Sequence, residues 1–371
     1  MGTKMQILAA EHKITQKQKD SLMEAPLLTI IVPAYNVERY ISDCLDSLVN
    51  QTMLNHKVII VNDGSTDGTD RICVDYAEKF PDIITYISQE NRGLGAARNR
   101  AMPDVETAYT MFLDSDDWLN SLLVERLTAL VRRCGATPDM IFTLPWIFNS
   151  ATRNISPWMD MALFGQVFSD ETPLDIHSEP RLFDFEVNAC RKIYRTGFLR
   201  DMNFSFPEGV KWEDVRPHFQ LLRSARNCVA LKDASFYYRT NTGSQITSGT
   251  GKTRLDMIPV FEDTLRMCRD EGFSEEETSH VLRLIMKFSL WSIHATNSEY
   301  IKPLLKGLHK VFRKIPMRAW RLYFRSCSPR PRKDSLVVRV LRSPLYPLVS
   351  DRRRAKQIFM KLRSIKRRLR K

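Results

Sequence analysis

No two of the seven cysteines form a C-x-x-C pair, and their number is odd. Scattered at 44, 73, 134, 190, 228, 268 and 327, they exclude a disulfide framework or zinc ribbon and fit a reducing compartment. The seven histidines show no H-x-x-x-H or related spacing, which excludes a histidine-bound metal. No apolar run approaches the ~18 residues of a membrane-spanning helix. The start, Met1 to Ala25, is interrupted by charges and lacks the apolar core of a signal peptide, so it reads as a polar extension. Acids are nearly missing from Ile301 to Lys371, where Asp334 and Asp351 face 24 Lys and Arg. The first 300 residues hold 32 basic and 41 acidic side chains. The chain is therefore a mildly acidic body with a strongly basic end.

With 371 residues, 43% of them hydrophobic and 27% charged, the body is long enough for two domains with sizeable cores. Short apolar runs at Leu27–Val32, Val58–Asn62, Ile83–Ile87 and Tyr109–Leu113 read as strands. Between the first two, Val37, Ile41, Cys44, Leu45 and Leu48 form one helical stripe; between the next two, Ile72, Cys73, Tyr76, Ala77 and Phe80 do the same. Fully apolar strands separated by amphipathic helices imply parallel pairing, with ligands bound beyond the carboxyl ends of the strands. From about Pro138 the alternation stops and the sequence reads as aromatic-rich and loop-rich, with helical pieces at Phe198–Met202 and Val215–Ser224. Thr240 to Thr253 reads as a mobile loop, and Met257–Cys268, Glu275–His294 and Ile301–Ile315 as helices.

The expected strand ends carry the unusual residues. Asp114, Asp116 and Asp117 crowd three carboxylates into four positions, a costly arrangement unless a cation sits among them. One Asp would suffice to cap a helix starting near Leu119. Mg²⁺ or Mn²⁺ takes such oxygen ligands and bridges them to a phosphorylated substrate. Asp63 closes the second strand, where an acid can accept hydrogen bonds from a base or ribose. Gly93 and Gly95 permit close backbone approach after the third, and Arg98 can meet phosphate or base oxygens.

The ordered set Val32-Pro33-Ala34-Tyr35-Asn36, Val61-Asn62-Asp63-Gly64-Ser65-Thr66-Asp67-Gly68-Thr69, Asn91-Arg92-Gly93 through Arg98-Asn99, and Phe112-Leu113-Asp114-Ser115-Asp116-Asp117 closely resembles family 2 glycosyltransferases. These are inverting enzymes of the glycosyltransferase A-type fold. The resemblance covers about residues 27 to 245 and is strong from 27 to 120. It implies an α/β fold: a mostly parallel, Rossmann-like central sheet with flanking helices, then a helical C-terminal region. It also implies a nucleotide-sugar donor, in the first instance a UDP-sugar. By the match, Asp63 contacts the uracil and the backbone near Pro33–Tyr35 borders the nucleoside. Asp114 and Asp116 serve ribose, diphosphate and Mn²⁺ or Mg²⁺, with Asp116 as direct ligand. Asn36, Glu38, Asn91, Gly93, Arg98 and Ser115 complete the expected donor contacts. Pro207-Glu208-Gly209-Val210-Lys211-Trp212-Glu213-Asp214 resembles the family's Glu-Asp element, which makes Asp214 the general base. Tyr237-Tyr238-Arg239 resembles a segment near the diphosphate, so Arg239 is a candidate phosphate clamp. Ala189-Cys190-Arg191-Lys192-Ile193-Tyr194 departs from the family at Cys190-Arg191, where Trp-Asn is usual.

The expected organisation is an extension (1–26), a nucleotide-sugar-binding half (27–137), an acceptor and catalytic-base half (138–253), a helical region (254–350) and a basic amphipathic tail (351–371). In the tail, Ala355, Ile358, Phe359, Leu362, Ile365 and Leu369 share one stripe among Lys and Arg. That pattern fits an anionic membrane surface, and with it a cytoplasmic enzyme peripheral to the inner face of the cytoplasmic membrane. The acceptor is then a glycan or lipid-linked glycan in cell-surface polysaccharide synthesis. Two other classes remain: an oxidoreductase binding a dinucleotide at Gly93-Leu94-Gly95, and a nucleic-acid binder using the tail, although no specific nucleic acid is expected.

Overall fold

The computed structural model describes residues 25–343 apart from 135–136, 171, 243–248 and 330. The expected N-terminal extension up to residue 24, residues 243–248 of the expected mobile loop and the amphipathic tail lie outside the described residues.

Strand β1 (Leu28–Ala34) is buried along its whole length. Leu28, Ile30 and Val32 enter one core and Ile31 the other, as the two-residue period of a strand buried on both faces requires. Helix α1 (Ile41–Val49) lays Ile41, Cys44, Leu45 and Leu48 on that first core; Val37 lies in the turn before it. Then come β2 (His56–Asp63), α2 (Thr69–Lys79), β3 (Ile84–Gln89), α3 (Leu94–Ala101) and β4 (Tyr109–Phe112). β2 and β4 flank β1, β3 lies outside β2, and all three pairings are parallel. The four carboxyl-terminal loops therefore open at one edge.

Two expectations change beyond β4. Leu119 belongs to a two-residue strand, β5 (Trp118–Leu119), paired with the chain near Phe236, and helix α4 (Leu123–Arg133) starts four residues later behind Leu122. The aspartates thus cap no helix near Leu119. The stretch after Pro138 also holds more sheet than its sequence shows: β6 (Met140–Asn149), β7 (Ile155–Pro157), α5 (Met161–Val167), β8 (Lys192–Arg195), α6 (Thr196–Asp201), α7 (Val215–Ser224) and β9 (Cys228–Thr240). β8 runs antiparallel between β4 and β6, and β9 runs parallel to β6 with register shifts near Thr143–Trp146. The order among the described residues is β3-β2-β1-β4-β8-β6-β9-β5, with β7 paired to β6.

The C-terminal region is helical: α8 (Met257–Asp270), α9 (Glu275–Ala295), α10 (Ser298–Lys314), α11 (Met317–Leu322) and α12 (Pro331–Arg342). A capping box starts α9: Ser274 Oγ accepts from Glu277 N at 3.1 Å, and Ser274 N donates to Glu277 Oε2 at 2.6 Å. These helices share a core with Ile31, Phe112 and Phe142, on the sheet face opposite α1. Among the described residues, no helix is long and apolar enough to cross a membrane.

Candidate active site

The first two strand-end loops are stitched together. Asn36, in the left-handed region at φ 49°, accepts from Thr66 N at 2.8 Å, and Glu38 accepts from Gly68 N at 2.7 Å. Glu38 is therefore engaged in shaping the site's rim. Tyr35 beside them is half exposed, and Pro33, next to last in the buried strand, lies opposite Val61.

Asp63 ties the second loop to the third. One of its oxygens accepts from Gln89 Nε2 at 2.7 Å and Arg92 N at 2.9 Å; the other accepts from Gly93 N at 2.8 Å. Gly93 reaches this position with φ 89°, a conformation costly for other residues. A carboxylate offers about four lone-pair sites, so Asp63 keeps capacity for one further donor such as a base N–H. Asn91 lies exposed on this loop. Because Gly93 N–H is occupied by Asp63, the Gly93-Leu94-Gly95 run is no open pyrophosphate cradle, and the dinucleotide reading loses its only support.

Gly95 is small for a steric reason. A Cβ there would lie 2.3 Å from Pro207 O, where α3 meets the loop leading to Asp214. Asn99 pins the same loop through both its donor and its acceptor to Phe206. Gly95→Ala is expected to cost about 1–3 kcal/mol by overpacking. Gly165→Ala, with open space around its Cβ inside α5, should instead stabilise by about 0.5–1 kcal/mol. Urea titrations of both variants check the pair.

Arg98 stands at the centre. Its buried guanidinium donates to Glu213 at 2.6 Å and to Asp114 at 2.8 Å, and lies against the rings of Phe112 and Phe206. The Arg98 fork is spent here on two carboxylates, which it holds in place. Arg239 is likewise committed. Its Nε donates to Asp116 O and its Nη2 to Asp43, both at 2.7 Å, while its backbone N donates to Asp117. With its guanidinium 4.5 Å from the Trp118 ring centre, it braces the acidic loop.

That loop carries unbalanced negative charge. Burial, then the charge of Asp114, pushes Asp116 up to about 6. Burial and the charge of Asp116 push Asp117 well above the carboxylate range, and its Oδ2 has no protein partner. Ser115 is buried between them. Among the described residues no three His, Cys, Asp or Glu side chains converge as a ready-made cage. The donor set of Asp116 and Asp114 fits a hard cation that takes one or two protein oxygens and completes its shell from a diphosphate.

Asp214 sits at the N-terminus of α7. Burial, then Glu213 beside it, raises its carboxyl to about 7, while Arg98 and Lys192 oppose the rise. That matches a general base at neutral pH. The unusual Arg191 is wholly buried, pairs with Asp160 and lies against Trp158 and Phe185. It is a wall of the second half, not an acceptor contact. Sequence reasoning missed the roles of Asp43, Lys192 and His218, which carry no local signal; Asp117 in the acidic cluster and Glu213 beside Asp214 were visible only as charges.

The Glycosyl transferase family 2 profile matches residues 29–188. The chain is 31% identical to EpsH of Bacillus subtilis over 261 residues, 68% of this chain and 72% of EpsH. It is 27% identical to the glycosyltransferase GlyA of Streptococcus pneumoniae over 270 residues, 71% of this chain but 38% of GlyA. The fold superimposes on TarS 1–349 of S. aureus, crystallised with UDP-GlcNAc, with a TM-score of 0.70 at 21% identity, covering 91% of this chain and 92% of that one. The match to EpsH, together with the profile over residues 29–188, establishes that the chain belongs to glycosyltransferase family 2.

Proposed function

We propose that this protein is an inverting, metal-assisted glycosyltransferase. It moves a sugar from a UDP-sugar of the UDP-GlcNAc type to a hydroxyl of a glycan, polymer or lipid-linked glycan in cell-surface polymer synthesis. The observation that carries the reading is the convergence of two acidic sites on one guanidinium. Arg98 holds Asp114 of the donor-side loop and Glu213 beside Asp214, whose proton affinity suits a base at neutral pH. The UDP-GlcNAc bound to TarS, a similar fold, supports the donor class. The poly(ribitol-phosphate) acceptor in the name of TarS supports a polymer acceptor, and the basic amphipathic tail supports a place at the inner face of the cytoplasmic membrane.

In this account Asp63 receives the base and Asp114 and Ser115 border the ribose and diphosphate. Asp116 and Asp114 are the residues that would hold Mn²⁺ or Mg²⁺, which would supply neutralisation of the charge growing on the departing diphosphate. Asp214 accepts the proton of the acceptor hydroxyl as that oxygen bonds to the anomeric carbon. The bond to the diphosphate breaks on the opposite face, UDP leaves, and configuration inverts in one displacement. No second nucleophilic carboxylate is required.

Asp116→Ala tests the donor side. Without this carboxylate, Mn²⁺ should no longer tighten UDP binding, a loss of at least about tenfold in calorimetric affinity measured with the metal. Unchanged Mn²⁺-dependent affinity would remove Asp116 from the site.

A further inference from the structure

We propose that Lys192 is a positioning residue for the base: its buried amine, anchored beneath the first turn of α7, adds a positive charge to that of Arg98 and so favours the ionised Asp214 that accepts a proton. The inference rests on the reading of Asp214 as the base.

Lys192 is 1% exposed, on β8 under that helix. Its Nζ donates to Asn188 O at 3.1 Å and lies 3.2 Å from His218 Nδ1. His218 Nε2 lies 3.3 Å from Phe183 O. A carbonyl only accepts, so the ring proton is on Nε2 and Nδ1 is a lone pair. Lys192 must therefore be the donor to His218. His218 follows Asp214 by four residues on α7 and donates its backbone N–H to Asp214 O at 3.0 Å. The lysine thus meets the turn that carries the base.

The charges around Asp214 leave Lys192 a distinct part. From its own segment Asp214 faces Glu213, from the β4 loop Asp114, from α3 Arg98, and from β8 Lys192. Arg98 gives its hydrogen bonds to Glu213 and Asp114. Arg191, next to Lys192, is paired with Asp160. His218 is held neutral by burial and the nearby lysine. Lys192 is then the cation not already paired to another carboxylate. Burial, then Arg191, lowers its own amine to about 7, and Asp214 and Asp160 oppose that fall. Lysine and aspartate therefore titrate as a linked pair in which each favours the other's charge.

The test needs no acceptor. Asp214 has its folded proton affinity raised, so ionising it costs stability. Relative to Asp214→Asn, the wild type should lose stability from about pH 4, where the unfolded carboxyl ionises, and the loss should level off near pH 7. In a Lys192→Met background the same comparison should level off at least about one pH unit higher. Lys192→Arg, which keeps the charge, should leave the break near its wild-type pH. UDP affinity should be unchanged in all, since Lys192 contacts none of Asp63, Asp114 and Asp116. An unmoved break in K192M overturns the proposal, as does an equal upward move in K192R. Near-normal UDP release from UDP-GlcNAc by D214N would instead overturn the reading of Asp214, so the two failures are distinguishable.

Discussion

Asp214→Asn is expected to bind UDP normally and to transfer sugar about 10²–10⁴-fold more slowly, the usual loss when a positioned base is removed. Asparagine keeps the shape of the side chain but cannot take up a proton near pH 7. It also removes a carboxyl that burial already holds near 7, so the variant should fold at least as well as the wild type above that pH. The fall then belongs to kcat. In the wild type the rate should rise with pH through about 7, as Asp214 loses its proton, and level off above. Steady-state kinetics beside calorimetric UDP binding separate the two quantities. A variant with near-normal kcat would end the assignment.

Arg98→Met should be the most damaging single change to the fold. Glu213 is 5% exposed at its side chain, and removing one partner of a buried pair costs about 3–5 kcal/mol. A domain of this kind has a total of only about 5–15 kcal/mol. Asp114, 28% exposed, can recruit water and adds less. Arg98→Met with Glu213→Gln should therefore be more stable than Arg98→Met alone, because the stranded charge is gone. Arg92 and Glu208 make an equally short pair at 2.7 Å but are 64% and 41% exposed; Arg92→Met should shift stability by less than about 1 kcal/mol. Urea denaturation of the three variants beside the wild type checks this ranking. Equal losses for Arg98→Met and Arg92→Met would show that burial does not decide the outcome.

The first half of the sheet was legible because its strands are short, fully apolar and spaced by helices with single stripes. The four polar loops followed from that order. The second half was not, since Pro145 interrupts β6, Lys232 and Asp233 interrupt β9, and their register shifts break any two-residue alternation. Arg98 and Arg239 were recognised as site residues, but their carboxylate partners were not visible in the sequence. Their carboxylates lie up to 196 positions away in sequence, and nothing local says that a guanidinium will be consumed before a phosphate arrives. The same holds for Lys192, whose neighbours come from three separate segments.

The central claim, a UDP-sugar site at this sheet edge, is tested most directly by thermal stabilisation with UDP, GDP, CMP, dTDP and NAD, each with and without Mn²⁺. The account predicts a shift with UDP that depends on Mn²⁺ and none with NAD. Stabilisation by NAD, or by no nucleotide at all, would contradict it.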